Sequence, residues 1–239
     1  MLPRKDWRAE NVVRGTALVM MVWMLAMAAL SVVAASGRER GVEIPKVVFL
    51  ALAGLAFHGT GLVMVAVLLR LERRTWREAF GFGLAPARAA GFGALTLLVV
   101  APLIYGLHAA AAAVLGWLGW GPEPQDSIKL LLESGWRERL LIGVMAVGLA
   151  PLVEELIFRG LFFPVLRDLG LPRLAWVGTS VFFGLIHGNA AAFLPLTLFG
   201  LYLAWLYHRT GNLLASIVAH ILFNLIPFVL VAAGVNLAP

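Results

Sequence analysis

Long runs of apolar residues, each near the length needed to cross a bilayer, constrain this sequence more than any other feature. A helix rises about 1.5 Å per residue, so a hydrocarbon core about 30 Å thick is crossed by about 20 residues. Residues 16–35, 47–69, 89–118, 140–163 and 213–235 meet that length, whereas 174–187 is short and 190–207 is borderline. Together they predict about seven spans, with Pro102 as a kink position in the third. The expected fold class is all-α, a polytopic transmembrane helical bundle. Composition agrees, because 61% of the residues are hydrophobic. A soluble domain is about 45–50% apolar and must coat itself in polar groups, a requirement that a bilayer removes. One membrane domain over residues 1–239 is expected, with no internal repeat.

The first run follows Arg4, Lys5 and Arg8, and Ala34-Ala35-Ser36 has the look of a cleavage site. The run is nevertheless longer than the 7–15 residues of a signal-peptide core, so it is expected to remain as the first helix.

The net charge of +6 is carried at the ends of apolar runs, which points to lipid headgroups and not to nucleic acid. The same residues set orientation. With the N-terminus inside, one side carries Arg4, Lys5, Arg8, Arg14, Arg70, Arg73, Arg74, Arg77, Arg88, Arg159, Arg167, Arg173 and Arg209, 13 in all. The opposite side carries the 6 residues Arg38, Arg40, Lys46, Lys129, Arg137 and Arg139, so a cytoplasmic N-terminus is expected. Arg outnumbers Lys 16 to 3, as in GC-rich bacteria, and the expected location is a bacterial cytoplasmic membrane. Residues 70–88, with Trp76, Phe80 and Phe82, read as an interfacial segment with its aromatics in lipid. Residues 121–133, with Pro122 and Pro124, read as an external loop. Tyr202, Trp205 and Tyr207 read as an interfacial belt. The chain has no cysteine, so thiol chemistry is excluded.

Ionisable groups inside spans each cost roughly 2.5–3.5 kcal/mol at a helix centre, which makes them candidates for function. Of 13 acidic residues only Glu154 and Glu155 lie within a span, and Arg159 follows in the same run. Glu155 and Arg159 are four apart, so they share a helix face and pair. Glu154 points about 100° away, with Phe158 and not a charge at the next turn, and is free to face a cavity as a general base. Pro151 has no N–H and leaves a backbone carbonyl unpaired one turn back. His187 ends the stretch that begins at Phe183, one turn earlier on the same face, so Phe183 walls the imidazole. His220 and Asn224 share a face of the last span and are two donors suited to a developing oxyanion. By rise per residue Glu154 and His220 lie at similar depth, whereas His187 comes out higher. His58 and His108 have no acidic neighbour in sequence and read as packing residues.

Taken in order, Glu154-Glu155-x-x-x-Arg159, Phe183-x-x-x-His187 and His220-x-x-x-Asn224 resemble the three motifs of the CAAX prenyl protease and bacteriocin-processing (abortive-infection-like) family of intramembrane peptidases. Arg209-Thr-Gly-Asn-Leu-Leu, before the last span, resembles that family's approach to its third motif. The likeness covers residues 140–235, the expected peptidase core. It implies peptide-bond hydrolysis by a water held by Glu154 and His187, with His220 and Asn224 on the oxyanion and with Glu155, Arg159 and Phe183 in support. The implied partner is a peptide or lipidated protein substrate, beside the membrane lipids.

Two further classes compete. One is a non-catalytic membrane scaffold or immunity protein of the same fold, which would be free to lose these motifs. The other is a proton-coupled transporter with Glu154 and the histidines as a relay, for which the sequence lacks an inverted repeat. No cofactor is the favoured expectation. Zinc on Glu154, His187 and His220 is the alternative, although the sequence has no His-Glu-x-x-His motif and Asn224 suits an oxyanion better than a metal shell.

Overall fold

The computed structural model of the protein describes residues 2–121 and 126–235. The described residues form nine helices and no strand. These are α1 (Ala9–Glu39), α2 (Lys46–Leu71), α3 (Trp76–Phe80), α4 (Pro86–Trp117), α5 (Asp126–Glu133), α6 (Trp136–Asp168), α7 (Leu174–Leu185), α8 (Ala190–Thr210) and α9 (Leu214–Ala232). Six of them, α1, α2, α4, α6, α8 and α9, are long and apolar enough to cross a membrane, and the chain is an integral membrane protein. The short fifth run becomes α7, which is shorter than a span. The borderline sixth run becomes α8, which is the centre of the bundle. Within its most apolar stretch 67% of α8 is buried, against 6% for α1, which packs on α2 at the periphery. Where α4 crosses α9, a Cβ on Gly93 would run into the carbonyl oxygen of Ala215, so only glycine permits that approach.

Helix α6 carries the paired glutamates on a short α-helical stretch, Ala150–Glu155, between two π-helical stretches, Val144–Leu149 and Leu156–Phe162. Its prolines explain two of its outside contacts. At the first π stretch the Ala150 N–H reaches back five residues to Met145 O, so the next residue in that register would pair with Ala146 O. That residue is Pro151, which has no N–H. The Asn224 side-chain amide donates to Ala146 O instead, at 2.8 Å. Likewise Gly160 O lies four residues before Pro164 and receives the Trp7 indole N–H at 3.1 Å. Buried carbonyls are rarely left unpaired, and here side chains from other segments replace the missing backbone donors.

Arg74 and Arg167 meet the N-terminal segment at one end of the bundle, whereas Arg159, counted with them from the sequence, is buried among the helices. Arg167 donates to Leu2 O at 3.0 Å and Pro3 O at 2.7 Å, the Lys5 N–H donates to Asp168 at 2.7 Å, and Arg74 donates to Lys5 O. The Asn212 amide donates to Leu84 O at 2.8 Å.

Three expectations need correction. Residues 70–88 do not lie on lipid throughout. Helix α3, closed by a Thr75–Glu78 capping box, buries Phe80 fully beneath Gly160 and beside Trp7, and Phe80 O accepts from Leu213 N at 2.9 Å. The aromatics here plug the bundle end. The expected external loop is partly helical, since 126–133 form α5, while Pro122 and Pro124 lie outside the described residues. Tyr202 and Tyr207 are not an interfacial belt. Both are buried because α8 is central, and the Tyr202 hydroxyl meets Thr96 Oγ1 at 2.8 Å.

Candidate active site

Three elements bring the motif residues together. Glu155 on α6 is fully buried, and its Oε1 accepts from Arg159 Nη1 at 2.7 Å and from His220 Nδ1 at 3.0 Å. The other Arg159 amine donates to Gly200 O on α8 at 3.0 Å. A Cβ on Gly200 would sit 3.2 Å from that amine and 3.1 Å from Ser180 Cα, so the glycine lets the guanidinium and α7 close on α8. Phe183 lies under the cation at 4.5 Å from its ring centre. The expected Glu155–Arg159 pair is therefore present, and through Glu155 it also fixes the His220 ring. Phe183 and Phe199 hold that ring edge-on, at 5.6 and 5.5 Å.

Glu154 lies on the next face and is not free of partners. His58 Nε2 stands 3.7 Å from its Oε1 and His220 Nε2 stands 3.9 Å from its Oε2. Two imidazoles thus bracket Glu154, His220 from the expected set and His58 in addition to it. Along the chain His58 has no acid near it and reads as a packing residue. In space it faces Glu154 from α2. The signal available in the sequence is its place inside the apolar run 47–69, where an ionisable group is costly. His108 enters none of these contacts.

The histidine tautomers follow from their fixed neighbours. His58 Nδ1 meets Gly54 O at 2.8 Å, His187 Nδ1 meets Phe183 O at 2.7 Å, and His220 Nδ1 meets the Glu155 carboxylate. All three partners are acceptors, so each Nδ1 carries the hydrogen and each neutral ring keeps its lone pair on Nε2. Phe183 packs on both His187, at 4.9 Å, and His220, at 5.6 Å.

Asn224 shares the face of His220 but spends one amide hydrogen on Ala146 O. Asn224→Ala is therefore expected to lower stability as well as turnover. Leaving Ala146 O without a donor costs about 1–3 kcal/mol, and loss of one oxyanion donor costs about 2.7–4 kcal/mol in kcat. Melting temperature and single-turnover cleavage in one detergent separate the two effects. Unchanged turnover in the folded protein would leave Asn224 with its structural role alone.

Among the described residues no three His, Asp or Glu side chains gather at a spacing that would hold a metal ion.

The likeness read from the motifs is borne out by comparison. Residues 136–226 match the family model described as type II CAAX prenyl endopeptidase Rce1-like. The Bacillus subtilis (strain 168) protein named "Putative membrane peptidase YdiL" is 32% identical over 106 residues, which cover 44% of this chain and 43% of that protein. The match thus spans less than half the length of that relative. No solved structure matches the chain. The matched region contains Glu154, Glu155, Arg159, Phe183, His187, His220 and Asn224, whereas His58 lies outside it.

Proposed function

We propose that this chain is an intramembrane endopeptidase of a bacterial cytoplasmic membrane, N-terminus inside, cutting a peptide bond of a membrane-associated or lipidated substrate. The observation that carries this reading is Glu154, a carboxylate inside an apolar bundle with 14% of its side chain accessible and an imidazole nitrogen facing each oxygen. Such a group is suited to take a proton from water at the moment of attack. The water oxygen bonds to the scissile carbonyl carbon while Glu154 receives one proton. His187 is the second group on the water in the family likeness. His220, held between the carboxylates of Glu155 and Glu154, donates from Nε2 when it carries a second proton. With the remaining amide hydrogen of Asn224 it stabilises the oxyanion. The proton on Glu154 then passes to the leaving nitrogen as the C–N bond breaks.

The test uses the full chain in lipid vesicles with membrane-anchored peptides, with and without a C-terminal lipid, and reads products by mass spectrometry. A discrete cut in the parent supports the reading, and intact substrate throughout contradicts it. Chelation is expected to leave the rate unchanged. Loss of cleavage on chelation, restored by zinc, would overturn the metal-independent scheme.

A further inference from the structure

We propose that His58 is a catalytic residue that holds, together with Glu154, the water that attacks the substrate. The proposal rests on the peptidase reading above and adds a residue from α2, outside the region that matches the family.

Four observations carry it. The first is the gap. His58 Nε2 and Glu154 Oε1 are 3.7 Å apart, too far for a direct hydrogen bond. A single water can sit about 2.8 Å from both atoms, and a polar gap of this size is a natural place for one. The second is the tautomer. With Nδ1–H given to Gly54 O, the Nε2 lone pair is an acceptor pointed at Glu154. Two acceptors, one on each hydrogen of the water, leave an oxygen lone pair directed outward. The third is access. The His58 and Glu154 side chains are each 14% accessible, whereas that of His220 is 3%. The His58–Glu154 pair is thus less enclosed than His220 on the other side of the carboxylate. The fourth is how the gap is set. Gly61 lies one turn along α2 from His58. A Cβ there would fall 2.9 Å from Val153 Cγ1, beside Glu154 on α6. The glycine allows α2 to approach α6 and sets the spacing between the two side chains.

The chemistry balances without a further reactant. The water oxygen forms the new bond to carbon, and one of its protons goes to Glu154 Oε1. The other stays on the attacking oxygen, hydrogen-bonded to His58 Nε2. The Glu154 proton moves to the leaving nitrogen as the C–N bond breaks. The carboxylic acid product then gives its remaining proton to His58.

The test compares parent, His58→Phe and His58→Gln in lipid. Phe keeps an aromatic ring but has no acceptor, while Gln offers a carbonyl oxygen. His58→Phe is expected to lower kcat by about 100-fold with KM and melting temperature near the parent. His58→Gln is expected to recover most of that loss. Parent-like kcat in His58→Phe, or equal loss in the two variants, would overturn the proposal. A structure of the parent in lipid, fine enough to show ordered solvent, gives a readout independent of turnover. Water within hydrogen-bond distance of both His58 Nε2 and Glu154 Oε1, lost in His58→Phe, supports it, and an empty gap in the parent overturns it. A parent that shows the water but cleaves no peptide would sink the peptidase reading and leave the water assignment standing.

Discussion

Glu154→Gln is expected to abolish hydrolysis while leaving the fold intact. Gln matches Glu in size and still presents one carbonyl oxygen to the bracketing imidazoles, but its amide cannot take a proton from water. Loss of a general base typically costs 10²–10⁴-fold, and here turnover is expected to fall on the order of 10³-fold or more. Stability should stay near that of the parent. The nitrogens facing Glu154 stand at 3.7 and 3.9 Å, beyond direct hydrogen-bond distance, so little bonding is lost. Single-turnover cleavage and melting temperature of the same preparation check both halves.

The opposite pattern is expected one residue on. Glu155 and Arg159 are 0% and 1% accessible and 2.7 Å apart, so removing either leaves a charge buried without its counter-ion. That costs about 3–5 kcal/mol, or on the order of 10 °C in melting temperature for a chain of this size. Glu155→Gln and Arg159→Gln should each show it, with a less than additive loss in the double variant, since the second substitution removes the charge stranded by the first. The Glu155–His220 hydrogen bond adds a distinction. Glu155→Gln should also reduce turnover in the folded protein, because the His220 ring loses its anchoring carboxylate. Arg159→Gln keeps that anchor, so its turnover should fall less. Equal stability in all three proteins, read by thermal unfolding in one detergent, would contradict the assigned network.

Much of this arrangement is legible where interactions are local or where one element declares itself. The Glu155–Arg159 pair follows from four-residue spacing, and the spans follow from apolar length. The unpaired carbonyl behind Pro151 is also legible, because a proline lacks its N–H wherever it sits. What the sequence withholds is the identity of partners far along the chain. Asn224 caps the Ala146 carbonyl across 78 residues, and His220 reaches Glu155 across 65. The neighbour of His58 is hidden for the same reason: Glu154 comes close to it only after α2 packs on α6. Residues 190–207 look borderline because α8 carries polar and aromatic groups that suit a helix surrounded by other helices rather than by lipid. Phe80 is misplaced because an aromatic beside arginines at a membrane surface and an aromatic plugging a bundle end have the same local sequence.

The central claim is that Glu154 drives attack by water on a peptide bond inside the bundle. Cleavage in ¹⁸O-labelled water tests it most directly, with parent, Glu154→Gln and Glu155→Gln reconstituted side by side and product termini read by mass spectrometry. The account predicts that the parent places the label in the new C-terminal carboxylate. It predicts that folded Glu154→Gln gives no labelled product and that folded Glu155→Gln gives a reduced but measurable amount. Labelled product from Glu154→Gln at the parental rate, with none from folded Glu155→Gln, would reverse the two roles and contradict the account.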